Sequence, residues 1–213
     1  LHLCDRRQRQ MCIRDSQKNA ELMAPVYANI PKDIPVVATH VWPAQAALHA
    51  GMKYVVFTTK PHEGFNMYDT QYSDYKITDV ECPFHTDANA DIAKRIFDAF
   101  RGKGMMAGAY YSIADWNNND YWWDYFATPN RNVNYKIERH PEKWEAFKTY
   151  THSQIGELMS NYGTIDILWL DGGWVSPRNN QDIDMPQIAA MARAKQPGLL
   201  AVSYTHLTLP TIA

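Results

Sequence analysis

The residues of this sequence that could do chemistry stand directly after short apolar runs. Asp171 follows the run 165–170 (IDILWL) and is itself followed by Gly172 and Gly173. A carboxylate at the end of an apolar strand, with two glycines that let a ligand approach the backbone, suits nucleophilic or general acid–base chemistry. The alternative is an Asp that only caps the following turn.

A second polar group, His62-Glu63, follows the run 53–59 (KYVVFTT). An isolated His-Glu pair is often structural, but a position just beyond a buried strand favours a role in a site. The pair does not form an HExxH motif, and no second His stands four residues further on. A zinc site is therefore not expected.

A third group follows residues 108–112 (GAYYS). It comprises Asp115, Trp116, the amides 117–119 and the aromatic residues 121–123. These aromatic side chains are not at helical spacing, and they alternate with amides, which favours a polar, aromatic wall of the kind that binds sugars. The alternative is a loop held in place by its own rings.

The elements that must position these groups alternate along the chain. Each strand is a short β-branched or aromatic run, and each helix shows amphipathic spacing. Asp87 is the expected N-cap of the second helix. Strands are predicted at 53–59, 105–111, 165–170 and 199–202, and helices at 42–50, 89–101, 141–162 and 185–195.

Such alternation predicts an α/β fold with a parallel sheet, either doubly wound or a (β/α)₈ barrel. No GxGxxG motif follows a strand, so a dinucleotide-binding fold has no support. The long segments 60–88 and 112–140 follow strands, whereas the connections that enter strands are short. This asymmetry favours a TIM-like barrel whose functional face is built from the loops after its strands.

Side chains of a strand alternate between its two faces, so Ile167, Trp169 and Asp171 share one face while Leu168 and Leu170 share the other. If the first set faces the barrel axis, the carboxylate of Asp171 lies at the barrel mouth with Trp169 beneath it. This alternation predicts the geometry of a site at the carboxyl end of the third strand.

Composition limits the classes of function. The chain has 213 residues, 46% of them hydrophobic and 13% aromatic, with a formal net charge of −2. There is no basic excess to bind a nucleic acid, and no apolar run approaches the roughly 20 residues that span a bilayer. We therefore expect a globular chain with neither a nucleic-acid partner nor a membrane span.

The two ends differ from the middle. Residues 1–16 carry two of the three cysteines and show no regular period, and residues 203–213 interrupt an apolar run. Both resemble translated adapter or vector sequence, so we expect non-native tails at 1–16 and 203–213 around a partial catalytic barrel at 17–202. Only Cys82 remains in this body, so no internal disulfide is expected.

Three segments together resemble the α-L-fucosidases of glycoside hydrolase family 29. They are residues 50–65 (AGMKYVVFTTKPHEGF), residues 108–112 with the Asp115-Trp116 pair, and residues 168–172 (LWLDG). The motifs occur in the family's order and at comparable spacing, over roughly residues 42–202.

The resemblance implies a retaining exo-hydrolase that releases terminal α-L-fucose from glycans, with Asp171 as its nucleophile and no metal or organic cofactor. In the Tyr-Tyr-Ser motif the pocket tyrosine matches Tyr111, with Tyr110 as the alternative. The implied substrate-binding residues all lie in these motifs: His62, Glu63, Tyr111, Trp116 and Trp169.

The match has departures. Pro61 stands where the family commonly has a first His, and the acid/base carboxylate is expected beyond Val202 and is not assigned. We expect residues 17–202 alone to be insoluble or inactive, because part of a barrel leaves strand edges unpaired. The alternatives are a catalytically inactive carbohydrate-binding relative and a different retaining barrel glycosidase. The resemblance favours a secreted or periplasmic location.

Overall fold

The structure is a computed structural model that describes residues 44–122 and 133–203. The expected non-native tail 1–16 therefore lies outside the described residues, as does the tail 203–213 except for Ser203, which is the last residue of a strand. The chain divides into two compact units, Leu1–Met52 and Lys53–Ala213.

Within the first unit, the structure describes one short helix, α1 (Ala44–His49). Gly51 follows it with a φ of 75°, and its N–H donates to the carbonyl of Leu48. A glycine in this left-handed conformation is a common way to end a helix. The predicted helix at 42–50 and its glycine stop are confirmed for the part that the structure describes.

The second unit alternates strands with helices. The strands follow the runs of β-branched and aromatic residues, and the helices follow the amphipathic segments. In chain order the elements are β1 (Tyr54–Lys60), α2 (Ile92–Arg101), β2 (Met106–Ser112), α3 (Pro141–Asn161), β3 (Ile167–Asp171), α4 (Met185–Lys195) and β4 (Leu200–Ser203). Short 3₁₀ turns occupy Pro83–Thr86, Ile137–Arg139 and Pro177–Asn179.

The four strands form one parallel sheet in the order β1-β2-β3-β4. A doubly wound sheet reverses its strand order at a switch point, whereas a barrel adds each strand beside the previous one. The observed order confirms the predicted α/β fold and matches consecutive strands of a barrel. The predicted bounds of α4 match those observed, and the other elements differ by one to three residues at their ends.

One predicted helix cap is wrong. Asp91, not Asp87, precedes α2, and its side chain accepts a hydrogen bond from the backbone N–H of Lys94. The carboxylate of Asp87 instead accepts from the backbone N–H of Asn89 within the preceding turn. Asp is favoured in both positions, because its short side chain bonds nearby N–H groups in turns as well as in caps.

The two faces of the sheet differ in burial. The face that packs against the helices is sealed: Phe57 contacts Phe97 of α2 edge-to-face, and Leu168 and Leu170 are buried in the main core. The opposite, axis-facing side exposes large apolar side chains, with Tyr54 52%, Met106 45% and Leu200 58% exposed. In a closed barrel the axis-facing layers are filled by side chains from all strands. An open apolar layer is therefore typical of part of a barrel.

Strand β1 contains an irregularity that matters for the site. Thr58 pairs with Tyr110, but Lys60 rather than Thr59 pairs with Tyr111, so β1 holds one extra residue. Such a bulge changes which face the following side chains occupy. By simple alternation Lys60 would point to the axis side with Thr58; instead its side chain is fully buried and its Nζ lies 4.5 Å from the centre of the Tyr111 ring.

Candidate active site

Asp171 is the last residue of β3, and three hydrogen-bond donors converge on its carboxylate. The hydroxyl of Tyr110 donates to Oδ2, the backbone N–H of Gly172 lies 2.7 Å from Oδ1, and His62 Nε2 lies 3.2 Å from Oδ2. The side chain is 20% exposed on the axis-facing side. This confirms the predicted alternation in β3 and fixes the orientation of the carboxylate without closing it off from a ligand.

His62 reaches Asp171 from the turn that follows β1. The backbone N–H of Gly64 donates to the carbonyl of Pro61 and closes this turn. Gly64 has a φ of 87°, and a Cβ there would lie 2.2 Å from Asp115 Oδ1. Only glycine fits both requirements, so the close packing of this turn on Asp115 depends on the residue at position 64.

Aromatic rings flank His62 and form a wall, here called the aromatic wall, that consists of Trp116, Trp122 and Trp174. The centre of the imidazole ring lies 5.5 Å from that of Trp116 and 4.9 Å from that of Trp174. Trp122 meets Trp116 edge-on at 6.1 Å. Trp116, Trp174 and the carboxylate of Asp171 therefore all adjoin the imidazole of His62. The neighbouring Tyr121 is instead fully buried against Phe147 in the core.

The second nitrogen of His62 lacks a hydrogen-bond partner within the described part of the chain. This nitrogen, Nδ1, is buried. When Nε2–H donates to the carboxylate of Asp171, Nδ1 is an acceptor. A buried acceptor without a partner costs free energy, and a ligand hydroxyl group would supply the missing bond.

Of the two adjacent tyrosines, the structure places Tyr110 rather than Tyr111 beside Asp171. Tyr110 shares the axis-facing side with Trp169, its neighbour in the register, and bonds Asp171. Tyr111 lies on the helix-facing side, where it is fully buried and its hydroxyl donates to Gln154 Oε1. Burial there raises the pKa of Tyr111 well above its usual range. Adjacent strand residues point to opposite faces, so the two cannot both line the pocket.

The remaining predicted residues are placed as follows. Trp169 is half-buried on the side of Asp171, and Trp116 lies in the aromatic wall. Glu63 is exposed on the turn beside His62. Its role in binding a sugar stays a prediction.

Trp174 was missed among the candidate residues of the sequence. The signal that could have found it is its position in the loop after β3, three residues beyond Asp171, where barrel enzymes collect ligand-binding side chains. Its indole N–H donates to the hydroxyl of Tyr121, 3.1 Å away, which ties the aromatic wall to the core.

Neither a metal centre nor a membrane helix is found in the parts of the chain that the structure describes. No three His, Cys, Asp or Glu side chains are grouped there as metal ligands. No helix within 44–122 and 133–203 has the length and apolar character to cross a membrane. Consecutive parallel βα units with a carboxylate and aromatic side chains at the strand ends are typical of part of a (β/α)₈-type barrel with its site at that end.

Comparisons with known proteins agree on one family. The family model described as Alpha-L-fucosidase matches residues 40–208. The tissue alpha-L-fucosidase of Homo sapiens is 28% identical over 135 residues, which cover 60% of this chain and 24% of that protein. The alpha-L-fucosidase of Dictyostelium discoideum is 25% identical over 130 residues, with 61% and 25% covered. The model of a domain of unknown function, DUF6937, matches residues 6–63, most of which lie outside the described residues.

Solved structures agree with this. Alpha-L-fucosidase isoenzyme 1 from Paenibacillus thiaminolyticus is 35% identical with a TM-score of 0.58, covering 74% of this chain and 36% of that one. A family 29 alpha-L-fucosidase from Bacteroides thetaiotaomicron is 27% identical with a TM-score of 0.56, covering 74% and 32%. The chain therefore belongs to the alpha-L-fucosidase family, and it spans about a quarter of the curated relatives' length.

Proposed function

We propose that this chain is the part of a retaining exo-α-L-fucosidase that binds terminal fucose and supplies the nucleophile, Asp171. The observation that carries the proposal is the convergence of Tyr110, His62 and the Gly172 N–H on one partly exposed carboxylate. Two relatives support the chemistry. One family 29 enzyme from Bacteroides thetaiotaomicron was trapped as a covalent intermediate with 2-fluoro-fucosyl fluoride, and a Lactobacillus casei enzyme binds its α-L-fucose product.

In the proposed reaction an oxygen of the ionised Asp171 attacks the anomeric carbon of fucose. The bond to the leaving-group oxygen breaks through an oxocarbenium-like transition state, and a glycosyl ester forms. A second carboxyl group protonates the leaving oxygen and then takes a proton from the water that releases fucose.

The sugar-binding roles follow from the geometry. Substrate binding that uncovers the buried Nδ1 of His62 would let this nitrogen accept a hydrogen bond from a fucose hydroxyl group, while Tyr110 keeps the carboxylate aimed at the anomeric carbon. Trp116 and Trp169 would pack against the apolar faces of the ring. These contacts hold the substrate in one orientation, which is how a site converts binding into rate.

The described chain is proposed to be inactive by itself. Its axis-facing layer exposes Tyr54, Met106 and Leu200, and β1 and β4 each pair with a single strand in the described sheet. Open apolar faces and free edges favour aggregation. A cooperatively unfolding 213-residue chain that hydrolyses an aryl α-L-fucoside would contradict this.

The test uses a complete catalytic domain that contains this segment, assayed with an aryl α-L-fucoside. We expect release of fucose with retained configuration by NMR, and loss of turnover in Asp171→Gly. Azide should then restore the release of phenol by attacking the anomeric carbon, with β-L-fucosyl azide as the product.

The matched control is Asp166→Asn, at the residue that immediately precedes β3, where the carboxylate accepts a hydrogen bond from the Ala107 N–H. It should keep its turnover. Fucose binding without turnover by the unsubstituted domain would instead indicate the inactive carbohydrate-binding relative. Release of another sugar would indicate a different glycosidase.

A further inference from the structure

A buried ion pair lies beneath the aromatic wall and takes no part in the proposed reaction. Lys60 Nζ and Asp115 Oδ2 are 3.2 Å apart, and the two side chains are 0% and 1% exposed. Burial lowers the pKa of Lys60, and the attraction of Asp115 opposes that shift. Because removing charges from water costs several kcal/mol per ion, a pair of this kind gives little stability for its cost. Its presence here calls for another explanation.

Both oxygens of the Asp115 carboxylate accept hydrogen bonds. Oδ2 accepts from Lys60 and from the hydroxyl of Tyr150 on α3, which is 3.1 Å away. Oδ1 accepts from the backbone N–H groups of Asn117 and Asn118, at 3.0 and 3.1 Å. One side chain therefore connects the end of β1, the middle of α3 and the turn 115–118.

The turn 115–118 carries Trp116, one of the three residues of the aromatic wall. Trp116 lies between Asp115 and the two amides that Asp115 binds, so its backbone position is set by them. Its own N–H donates to the carbonyl of His62, 2.9 Å away, and its ring lies against the imidazole. The turn of His62 is packed on the same carboxylate through Gly64, where a Cβ would collide with Oδ1.

We propose that the buried carboxylate of Asp115, held by Lys60 and Tyr150, positions Trp116 against His62, and that Asp115 is thereby a positioning residue of the sugar site. The inference rests on the proposed function for its effect on substrate binding. The ionic contact is directional and sealed from water, so it fixes the turn more narrowly than apolar packing of the same volume would. The pair thus acts on affinity through Trp116, without touching the substrate.

The sharpest variant is Tyr150→Phe, which removes one hydrogen bond to Asp115 and keeps the ring. Tyr162→Phe is its control, because it also removes a tyrosine hydroxyl, from the residue that directly follows α3. That hydroxyl donates to Asp91 and accepts from the backbone N–H of Asp69. In the complete catalytic domain, Tyr150→Phe should raise KM for an aryl α-L-fucoside by about 3- to 10-fold with kcat nearly unchanged. Tyr162→Phe should leave KM unchanged.

A second measurement needs no substrate. Hydrogen exchange at the amides of Asn117 and Asn118 should be faster in Tyr150→Phe than in Tyr162→Phe, because only the first loosens their acceptor. Equal exchange in the two variants, or an equal KM in both, overturns the positioning role. If the unsubstituted domain neither hydrolyses the fucoside nor binds fucose, the proposed function fails, while the exchange comparison still decides this inference.

Discussion

Two carboxylates near the same end of the sheet have almost the same set of donors. Asp171 accepts from a tyrosine hydroxyl, a histidine and a backbone N–H group. Asp115 accepts from a tyrosine hydroxyl, a lysine and two backbone N–H groups. They differ in access, since Asp171 is 20% exposed on the axis side and Asp115 is 1% exposed on the helix side. The two carboxylates therefore differ in access to water and ligands rather than in their donors, and on access alone only Asp171 is open to the proposed role of nucleophile.

The largest expected effect concerns the open carboxylate. In a complete catalytic domain, Asp171→Asn should lower kcat by roughly 10³-fold or more, because the amide cannot attack the anomeric carbon. Its thermal midpoint should stay close to that of the unsubstituted protein, since the site is half-open. Rates with an aryl α-L-fucoside measure the change in kcat, and a melting curve measures the thermal midpoint. A large loss of stability would contradict the expected difference between Asp171 and Asp115.

The sealed carboxylate should show the opposite behaviour. Lys60→Met leaves Asp115 buried without its cation, which should lower the free energy of unfolding by about 3–5 kcal/mol. The double variant Lys60→Met/Asp115→Asn removes both charges and should recover much of that loss. Urea denaturation measures the free energy of unfolding of both variants. His62→Gln, at the open carboxylate, is the contrast, with a stability loss below about 1 kcal/mol.

The adjacent residues Tyr110 and Tyr111 are expected to differ in the same way, one in its effect on kinetics and the other in its effect on stability. Tyr110→Phe removes a donor to Asp171 and should lower kcat/KM by about 10- to 100-fold with little change in stability. Tyr111→Phe breaks the bond to Gln154 and should lower stability by about 1–2 kcal/mol with kcat/KM nearly unchanged. Kinetics and melting of the two variants side by side decide which tyrosine lines the pocket. A larger kinetic loss in Tyr111→Phe would restore the assignment made from the sequence.

The smallest effect is expected at a third carboxylate, Asp69, whose side chain is 49% exposed. Burial alone would raise its pKa, but hydrogen bonds from Lys76 and Thr78 outweigh burial and lower it. A lowered pKa stabilises the fold above the unfolded-state value and loses that effect as the pH falls through the folded-state value. Asp69→Asn should therefore cost about 0.5 kcal/mol at neutral pH. The cost should disappear in acid, and a cost that grows below pH about 4 would contradict it.

Much of the fold could be predicted because hydrophobic period and glycine stops are local signals. The alternation of strands and helices and the bounds of α4 were read from them, and strand alternation alone placed Asp171 and Trp169 on one face. The N-cap of α2 was misplaced because two aspartates compete for similar roles within five residues. Local sequence does not show which of two such aspartates caps the helix and which one bonds within the preceding turn.

The choice between Tyr110 and Tyr111 required the pairing of β2 with its neighbours. Both residues are tyrosines at adjacent positions, so composition and spacing are identical, and only the packing of α3 shows which face is the core. The Lys60–Asp115 pair was missed for a related reason. Its formation depends on the extra residue in β1, and no turn or glycine signal in residues 53–60 marks that residue.

That extra residue has a consequence for engineering. Side chains of a strand alternate between the two faces of the sheet, and the extra residue reverses this alternation at Thr59. Even-numbered residues before Thr59 therefore face the axis side, whereas Lys60 faces the helix side. A regular strand of the same length would instead pair Thr59 with Tyr111 and turn the ammonium group of Lys60 to the axis side, where the carboxylate of Asp171 lies. A grafted or redesigned version of this strand must therefore preserve the irregularity between Thr58 and Lys60 as strictly as its chemistry.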